Sequence, residues 1–379
     1  MAMTSLSWIL LLGAANGAVV AVLLWQSREH RVANRLLAAL LAVAALRLVP
    51  YIIGYAGAYD AYPWLSFAPF YLPLAIGPLL WLHVVALTTG ALPPRWRWHL
   101  VPAALHLAAY GTIFVALPLE AKHALVRRVI DPIVAPAITL AALTGLAVYG
   151  VAALRQRARY QAWLDDQLSN REEFRLAWLG LLLGIMAVLG LVWLGFAVTD
   201  AFVRPLSYFD EFPFYVVQAG VVWAIGLGAW RESARVYPVP AAATPDAEPP
   251  PPTETDRSTE HDWPTLGARY LRDIESNGWF RDPHLYATTL ARHLATNTTY
   301  LSKALNRGLG QGFNEVINRL RVQAVSAELS AGSTRDLVQL GFDAGFNSKA
   351  SFQRAFVLYT GQTPSAYRAA AAQTTASAR

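Results

Sequence analysis

Seven long apolar runs follow one another through the first 230 residues, at 6–25, 36–55, 64–89, 98–119, 132–154, 176–199 and 212–230. Each is close to the ~20 residues that cross a hydrocarbon core ~30 Å thick. Four contain no charged or histidine side chain, and the others contain one or two. Buried helices of soluble proteins are usually shorter and keep a polar stripe, so the pattern predicts a bundle of seven membrane-spanning helices. No basic residue precedes the first run and six more runs follow it, so it reads as a span and not as a cleaved signal.

After residue 262 the pattern changes to short amphipathic helices with apolar positions at helical spacing. Leu266, Tyr270, Leu271 and Ile274 mark a first helix ending at Asn277-Gly278, and Leu285, Leu290 and Leu294 mark a second. A turn at Thr296-Asn297 leads into 298–307, and a longer helix over 313–329 carries Val316, Ile317, Leu320 and Val325. Ser333 to Asp336 reads as a capping-box start for a helix with Leu337 and Leu340. A turn at Gly345-Phe346-Asn347 opens the helix 348–358, Gly361 ends it, and Pro364 suits the first position of a final helix. Helix, tight turn, helix therefore occurs twice, joined by one long helix. The expected fold is all-α.

Composition sharpens the division. The chain of 379 residues is 55% hydrophobic and 15% charged, against ~25% charged in an ordinary soluble protein. Residues 1–235 hold 17 basic and 12 acidic side chains, 236–261 hold one and five, and 262–379 hold 13 and eight. Three regions are expected: 1–235 as a membrane and sensor domain, 236–261 as a linker and 262–379 as a soluble domain. The linker, with Pro249 to Pro252 and its acidic excess, has too few apolar residues for a core and reads as an extended tether.

Short basic loops stay in the cytoplasm. With the N-terminus outside, one side gathers Arg28, Arg31, Arg35, Arg95, Arg97, Arg155, Arg157, Arg159, Arg171, Arg175, Arg231 and Arg235. The other holds only Lys122, Arg127, Arg128 and Arg204. Seven spans then return the chain to the cytoplasm. Trp25, Trp64, Trp96, Trp98, Trp178 and Trp230 crowd the ends of the runs as an interfacial belt would.

The absence of cysteine excludes disulfides, thiolate catalysis and Cys-ligated zinc. No zinc-protease, phosphate-loop or nucleophile-elbow motif is present, and no cofactor or metal is expected. Asp165-Asp166 and Glu172-Glu173 lie in a charged loop and read as solvated surface. No sequence feature points to an enzyme.

In each paired unit the second helix shows basic and amide side chains away from its apolar face: Lys303, Asn306 and Arg307 in one, Lys349, Gln353 and Arg354 in the other. Such side chains pair with guanine and adenine edges in a major groove. Any surface helix is also polar outside, so the charge by itself leaves both readings open.

Residues 282–368 resemble the C-terminal domain of AraC/XylS-type transcriptional regulators. The matching residues are Asp282-Pro283, Leu290-Ala291, Tyr300 to Lys303, Gly310, Gly312-Phe313, Ile317-Asn318, Arg321-Val322, Ala327 and Leu329. They continue with Gly345-Phe346, Ser348, Ser351-Phe352, Arg354, Phe356, Gly361, Thr363 to Ser365 and Tyr367-Arg368. The resemblance covers about a quarter of the chain. It implies two helix-turn-helix units on one linker helix, reading major-groove faces about one turn, ~34 Å, apart. By position it implies base contacts from Thr299, Ser302 and Lys303, then from Lys349, Ala350, Gln353 and Arg354, with phosphates held at the helix starts near Thr298 and Ser348. Gly345 and Phe346 would shape the second turn, and Pro364, Tyr367 and Arg368 would pack and cap. The sequence departs from the family at Leu305, Gly341, Phe342 and Val357; glycine at 341 would cost about 1 kcal/mol of helix propensity against alanine.

The resemblance also implies double-stranded promoter DNA and RNA polymerase as partners, besides the bilayer, with a second copy of the chain a further candidate. Soluble relatives of this type carry a ligand or dimerisation domain where this chain has its apolar runs, as membrane-bound members of the group do. The whole then reads as a membrane-bound transcription factor of a bacterial inner membrane, with its C-terminal domain in the cytoplasm and a small-molecule or envelope signal as input. Ionisable groups inside spans are the natural candidates for sensing, here Arg47, His83 and His106, and Pro73, Pro78, Pro102 and Pro136 are candidate kinks. Each of the three also has a packing role as its alternative. The competing reading is a transporter or enzyme with an auxiliary DNA-binding tail. It calls for paired inward charges or an internal repeat among the runs, and neither is seen.

Overall fold

The apolar runs are helical over most of their length in the computed structural model, which describes residues 4–167, 176–207, 209–232, 237–239 and 262–377. No β-strand occurs among the described residues. The linker beyond 239 lies outside the described residues, as do Arg171, Arg175, Glu172, Glu173 and Arg235 and the side chains of Asp165 and Asp166. The chain divides into two compact units, one of residues 1–158 with 176–240 and the other of 159–175 with 241–379.

In the first unit, α1 (Ser5–Gln26) is capped by Thr4, whose Oγ1 accepts the Ser7 N–H at 3.2 Å. It is followed by α2 (Arg31–Leu46), α3 (Val49–Tyr55), α4 (Pro73–Thr89), α5 (Val101–Ala116), α6 (Ala135–Gln167, of which residues up to 158 belong to this unit), α7 (Ala177–Phe202) and α8 (Phe212–Glu232). Among the described residues, six segments are long and apolar enough to cross a membrane: 5–26, 31–55, 96–116, 119–164, 177–202 and 212–231. The third predicted run is shorter than its composition suggested. Pro63–Phe67 forms a 3₁₀ turn, and helix begins only at Pro73. Pro69 and Pro73 bar their predecessors from helical backbone and lack a donor. The 17 residues of α4 rise ~26 Å, near the short limit for a span.

The predicted loop before the fifth run is helical. Leu119–Leu125 continues through a π-helical stretch, Val126–Val134, into α6. Pro132 sits inside that stretch, where a missing N–H favours widening of the ladder. Lys122, read as a loop charge, is buried and donates to the Phe114 carbonyl at 2.6 Å, capping the end of α5.

Two glycines bring α1 against α8. A Cβ at Gly13 would lie 2.5 Å from the Ala219 Cβ, and one at Gly17 would lie 2.4 Å from the Val222 Cγ1. Spaced by four, they form the small-residue face that lets apolar helices meet closely. Leu10 and Ala14 of α1 then pack with Ala45, Leu48, Ile52, Phe214 and Tyr215. The outward faces stay apolar: Leu12, Val115 and Leu191 are 70%, 82% and 68% exposed.

Residues 237–239 open the predicted linker, yet they pack on this unit. The Tyr237 N–H donates to His30 Nε2 at 2.9 Å, the two rings meet at 5.8 Å, and Val239 lies over Gly90. His30 holds a left-handed backbone, φ 41°.

The second unit contains α9 (Trp263–Ser276), α10 (Ala287–His293), α11 (Thr298–Lys303), α12 (Phe313–Ser330), α13 (Leu337–Asp343), α14 (Lys349–Thr360) and α15 (Pro364–Ser377). Its apolar residues form two cores that share α12. Phe313, Val316, Ile317 and Leu320 join Tyr270, Leu290, Leu301 and Leu305 in the first. Val322, Val325 and Leu329 join Leu340, Phe346, Phe352 and Phe356 in the second.

Candidate nucleic-acid interface

Each helix-turn-helix pair is built by local signals. In the first, α10 ends at His293 with Leu294 as its C-cap, and the chain reverses through Ala295, φ 50°, which is left-handed without being glycine. The Asn297 side chain then caps α11 by accepting the Tyr300 N–H at 2.9 Å. The helix widens into a π-helical turn, Ala304–Gly308. That turn is clamped on α9: a Cβ at Gly308 would lie 2.1 Å from the Trp263 carbonyl oxygen, and one at Gly267 2.6 Å from that of Ala304.

In the second pair, the cap of α13 is Asp336 and not Ser333. Its carboxylate accepts the N–H groups of Val338 and Gln339, both at 2.9 Å, because an N-cap acts two and three residues ahead. Arg335 bridges Glu328 at 3.1 Å and also pairs with Asp343. Hydrogen bonds from Gln339 and Arg335 hold the Asp343 carboxyl below its ordinary range. The turn passes through Gly345, φ 103°, and Ser348 caps α14 by accepting the Ser351 N–H at 3.1 Å.

Gly341, read from sequence as a loss of helix propensity, has a packing reason. A Cβ there would lie 2.7 Å from the Phe352 ring, so glycine lets α14 seat against α13. Leu305 is wholly buried in the first core, and Phe342 and Val357 are exposed.

Arg321 joins the two pairs. It lies wholly buried where the cores meet on α12. Its Nε donates to the Phe280 carbonyl at 2.7 Å and one terminal nitrogen to that of Asp282, also at 2.7 Å. The guanidinium carbon is 5.6 Å from the centre of the Phe346 ring. Burial pushes its pKa down to about 9, opposed by Asp282. Gly345 closes over the same place, since a Cβ there would lie 2.8 Å from the carbonyl oxygens of Phe280 and Arg281. Sequence reasoning saw Arg321 only as a matching residue; its position between apolar Leu320 and Val322 was the available signal of burial.

The residues expected to contact DNA fall on the two second helices. Thr299, Lys303, Asn306 and Arg307 are exposed on α11 and its π turn, and Thr298 and Ser302 are half-buried. Asn306 Nδ2 donates to Ser302 Oγ at 3.1 Å, and Lys303 Nζ lies 5.9 Å from the rings of both Trp263 and Tyr300. Ser348, Lys349, Ala350, Gln353 and Arg354 are all exposed on α14. Lys349, Gln353 and Arg354 also line a groove with Asp336 and Ser365. Tyr367 packs on Phe356 at 5.5 Å, and Arg368 donates to the Arg335 carbonyl at 3.0 Å.

The three candidate sensing residues lie apart in the first unit. His83 is buried with Nδ1 at 2.9 Å from the Ala33 carbonyl and packs edge-on to Trp178. His106 stacks on Tyr110 at 4.5 Å and approaches Tyr71 at 6.5 Å. No ring contact or hydrogen bond joins the two histidines among the described residues. Arg47 is buried among rings, with Trp193 at 4.6 Å and Tyr71 at 4.8 Å, so Tyr71 links it to His106.

Residues 290–370 match a helix-turn-helix domain family. Uncharacterized HTH-type transcriptional regulators of Staphylococcus aureus strains COL and MSSA476 are 31% identical over 84 residues, 22% of this chain and 11% of theirs. The chain thus spans about a tenth of the length of the curated relatives it matches. Among solved structures, the C-terminal domain of AraT, a response regulator from Geobacillus stearothermophilus, is 21% identical. That match covers 28% of this chain and 84% of that one with a TM-score of 0.25. A protein of unknown function from Listeria innocua is 28% identical, covering 27% and 92% with a TM-score of 0.24. The C-terminal part of the chain is an AraC-type helix-turn-helix domain.

Proposed function

We propose that this chain is a membrane-anchored transcription regulator that binds promoter DNA sequence-specifically through two recognition helices, α11 and α14. In this reading 1–235 is the membrane and sensor domain, 236–261 the tether and 262–379 the DNA-binding domain. Seven spans with the N-terminus outside put the last domain in the cytoplasm of a bacterial cell. A signal favouring one of two states of the bundle would alter promoter occupancy, with a second copy and RNA polymerase as partners on the DNA.

The observation that carries the reading is the pairing of two capped, outward-facing helices on one shared helix. Lys303 and Arg354 occupy equivalent places on them. Phosphate contacts would give affinity and salt dependence, and the base-edge contacts of these side chains would give specificity.

The test is a gel shift of promoter fragments from the chain's own genome by the full-length protein in nanodiscs, over a series of salt concentrations. The reading expects a selected fragment to bind at least ~10³-fold tighter than random DNA. Equal affinity for every fragment would reduce the protein to a tether of DNA to the membrane.

A further inference from the structure

Among the described residues the Arg47 side chain has no acidic partner, although it is buried in an apolar bundle. Pro50, near the start of α3, interrupts the helix, and α2 ends at Leu46 with Arg47 as its C-cap. The break frees the Ala44 carbonyl, which accepts a hydrogen bond from Gln218 Nε2 of α8 at 3.1 Å. Arg47 is 8% exposed, and its guanidinium lies over the rings of Trp193, Tyr71, Phe214 and Tyr215 at 4.6 to 5.7 Å.

No carboxylate lies within ion-pair distance of Arg47 among the described residues; its guanidinium hydrogen-bonds the Tyr71 and Tyr215 side chains, and its Nε has no acceptor. The Glu211 carboxylate is held by tyrosines instead, with the Tyr51 hydroxyl donating at 2.7 Å and that of Tyr215 at 3.4 Å. Ring faces attract a cation, but a charge in apolar surroundings ordinarily keeps a counter-ion as well.

A cavity of about 70 Å³ ends on this side chain. Apart from Arg47 and Gln218, its walls are hydrophobic or aromatic. Three wall residues, Leu146, Met186 and Gly190, are shared with a second groove of about 350 Å³. Every residue lining that groove is Leu, Val, Ala, Met or Gly. One buried cation lining a cavity that adjoins an apolar groove matches one chemistry, an anionic head on a single hydrocarbon chain.

We propose that the bundle binds such an amphiphilic anion, with the head on Arg47 and the chain between α6 and α7 towards Leu183 and Leu194. The role of this ligand as an input rests on the regulator reading above; its binding does not. A neutral alcohol of equal length lacks the counter-ion, and a cationic amphiphile meets Arg47 with like charge. Free fatty acid and acidic phospholipid share this chemistry, and the cavity's size fits a single chain better than a double one.

The experiment measures radiolabelled decanoate on the full-length protein in nanodiscs of zwitterionic lipid, with decanol and decyltrimethylammonium as competitors. Saturable decanoate binding is expected, strengthening roughly fourfold per added methylene. Decanol should compete at least tenfold more weakly than unlabelled decanoate, and the cation not at all. Arg47→Met should lose decanoate selectivity, and Arg47→Lys should keep part of it. Ala187→Trp fills the apolar groove from its exposed side without touching Arg47 and should also weaken decanoate at least tenfold. Displacement of decanoate in discs of acidic phospholipid, lost in Arg47→Met, would support the site with the bilayer as its source.

Equal competition by decanol, or unchanged decanoate binding in both Arg47→Met and Ala187→Trp, would overturn the proposal. DNA affinity is not part of this measurement. A protein that holds decanoate through Arg47 but selects no DNA would sink the regulator reading alone.

Discussion

The two units place their apolar surface in opposite ways. In the first, large apolar side chains point outward along whole helices, and the windows at 96–116 and 177–202 bury only 6% and 11% of their residues. In the second, the exposed large apolar residues among those described are Phe342, Val357 and Leu358. Water would make the first surface a liability, whereas a bilayer makes it the lowest-energy face.

The same contrast appears in two buried arginines. Arg321 donates hydrogen bonds to two backbone carbonyls where the two cores of the second unit meet. Arg47 is ringed by aromatic faces beside a cavity. The first is held by main-chain acceptors and serves structure, whereas the second lines an apolar cavity. The predictions below test how far that contrast holds.

The largest effect is expected at Arg321. Arg321→Met leaves the Phe280 and Asp282 carbonyls unpaired and should destabilise the second unit by about 3–5 kcal/mol. Hydrogen exchange of the full-length protein should show 262–377 opening while α1 and α2 stay protected. Equal loosening of both units would break the distinction.

Gly341→Ala comes next, at about 1–3 kcal/mol, because the Phe352 ring is buried and cannot yield freely. Proteolysis kinetics at α13 would read it. If alanine stabilises the helix, the propensity view drawn from sequence is right and the packing view wrong.

Arg354→Ala and Lys303→Ala should each cost about 1–3 kcal/mol against the selected DNA and much less against random DNA. A uniform loss over all sequences would assign these side chains to phosphates. Asp336→Ala removes two cap bonds and should cost about 1 kcal/mol. Ser333→Ala should cost less than that in the same unfolding assay.

The smallest effect concerns His30. Burial holds its pKa below the ordinary 6.5, with Glu29 acting in the opposite sense. The docked state therefore favours the neutral ring, whose Nε2 accepts the Tyr237 N–H. Docking should be complete above pH ~6.5 and weaken as pH falls below it, because the undocked ring takes up its proton first. Protection of the Tyr237 amide, corrected for intrinsic exchange, should fall over that range in the parent. It should be low at every pH in His30→Ala.

Sequence pattern located α1, α9, α12 and α14 closely, because each rests on local signals: a hydrophobic period, a capping side chain or a terminal glycine. It missed features that depend on a partner. Gly13 and Gly17 stand four residues apart, and only their contact with α8 shows what they admit. The break at Arg47 was signalled by Pro50, which an unbroken apolar run concealed. Non-helical backbone before α4 was encoded in prolines that hydropathy does not weigh. Ala295 takes a left-handed turn without glycine, and Asp336 replaces Ser333 as the cap because the helix starts at Leu337, so that Val338 and Gln339 fall within its reach. The candidate DNA contacts were placed by family resemblance, because a recognition face and an ordinary polar face look alike in one sequence.

The most direct test of the central claim is a footprint of the full-length protein in nanodiscs on its selected promoter. The account predicts two protected stretches about one helical turn, ~34 Å, apart. Lys303→Ala should weaken one and Arg354→Ala the other. A single stretch weakened alike by both substitutions, or protection that neither alters, would contradict it.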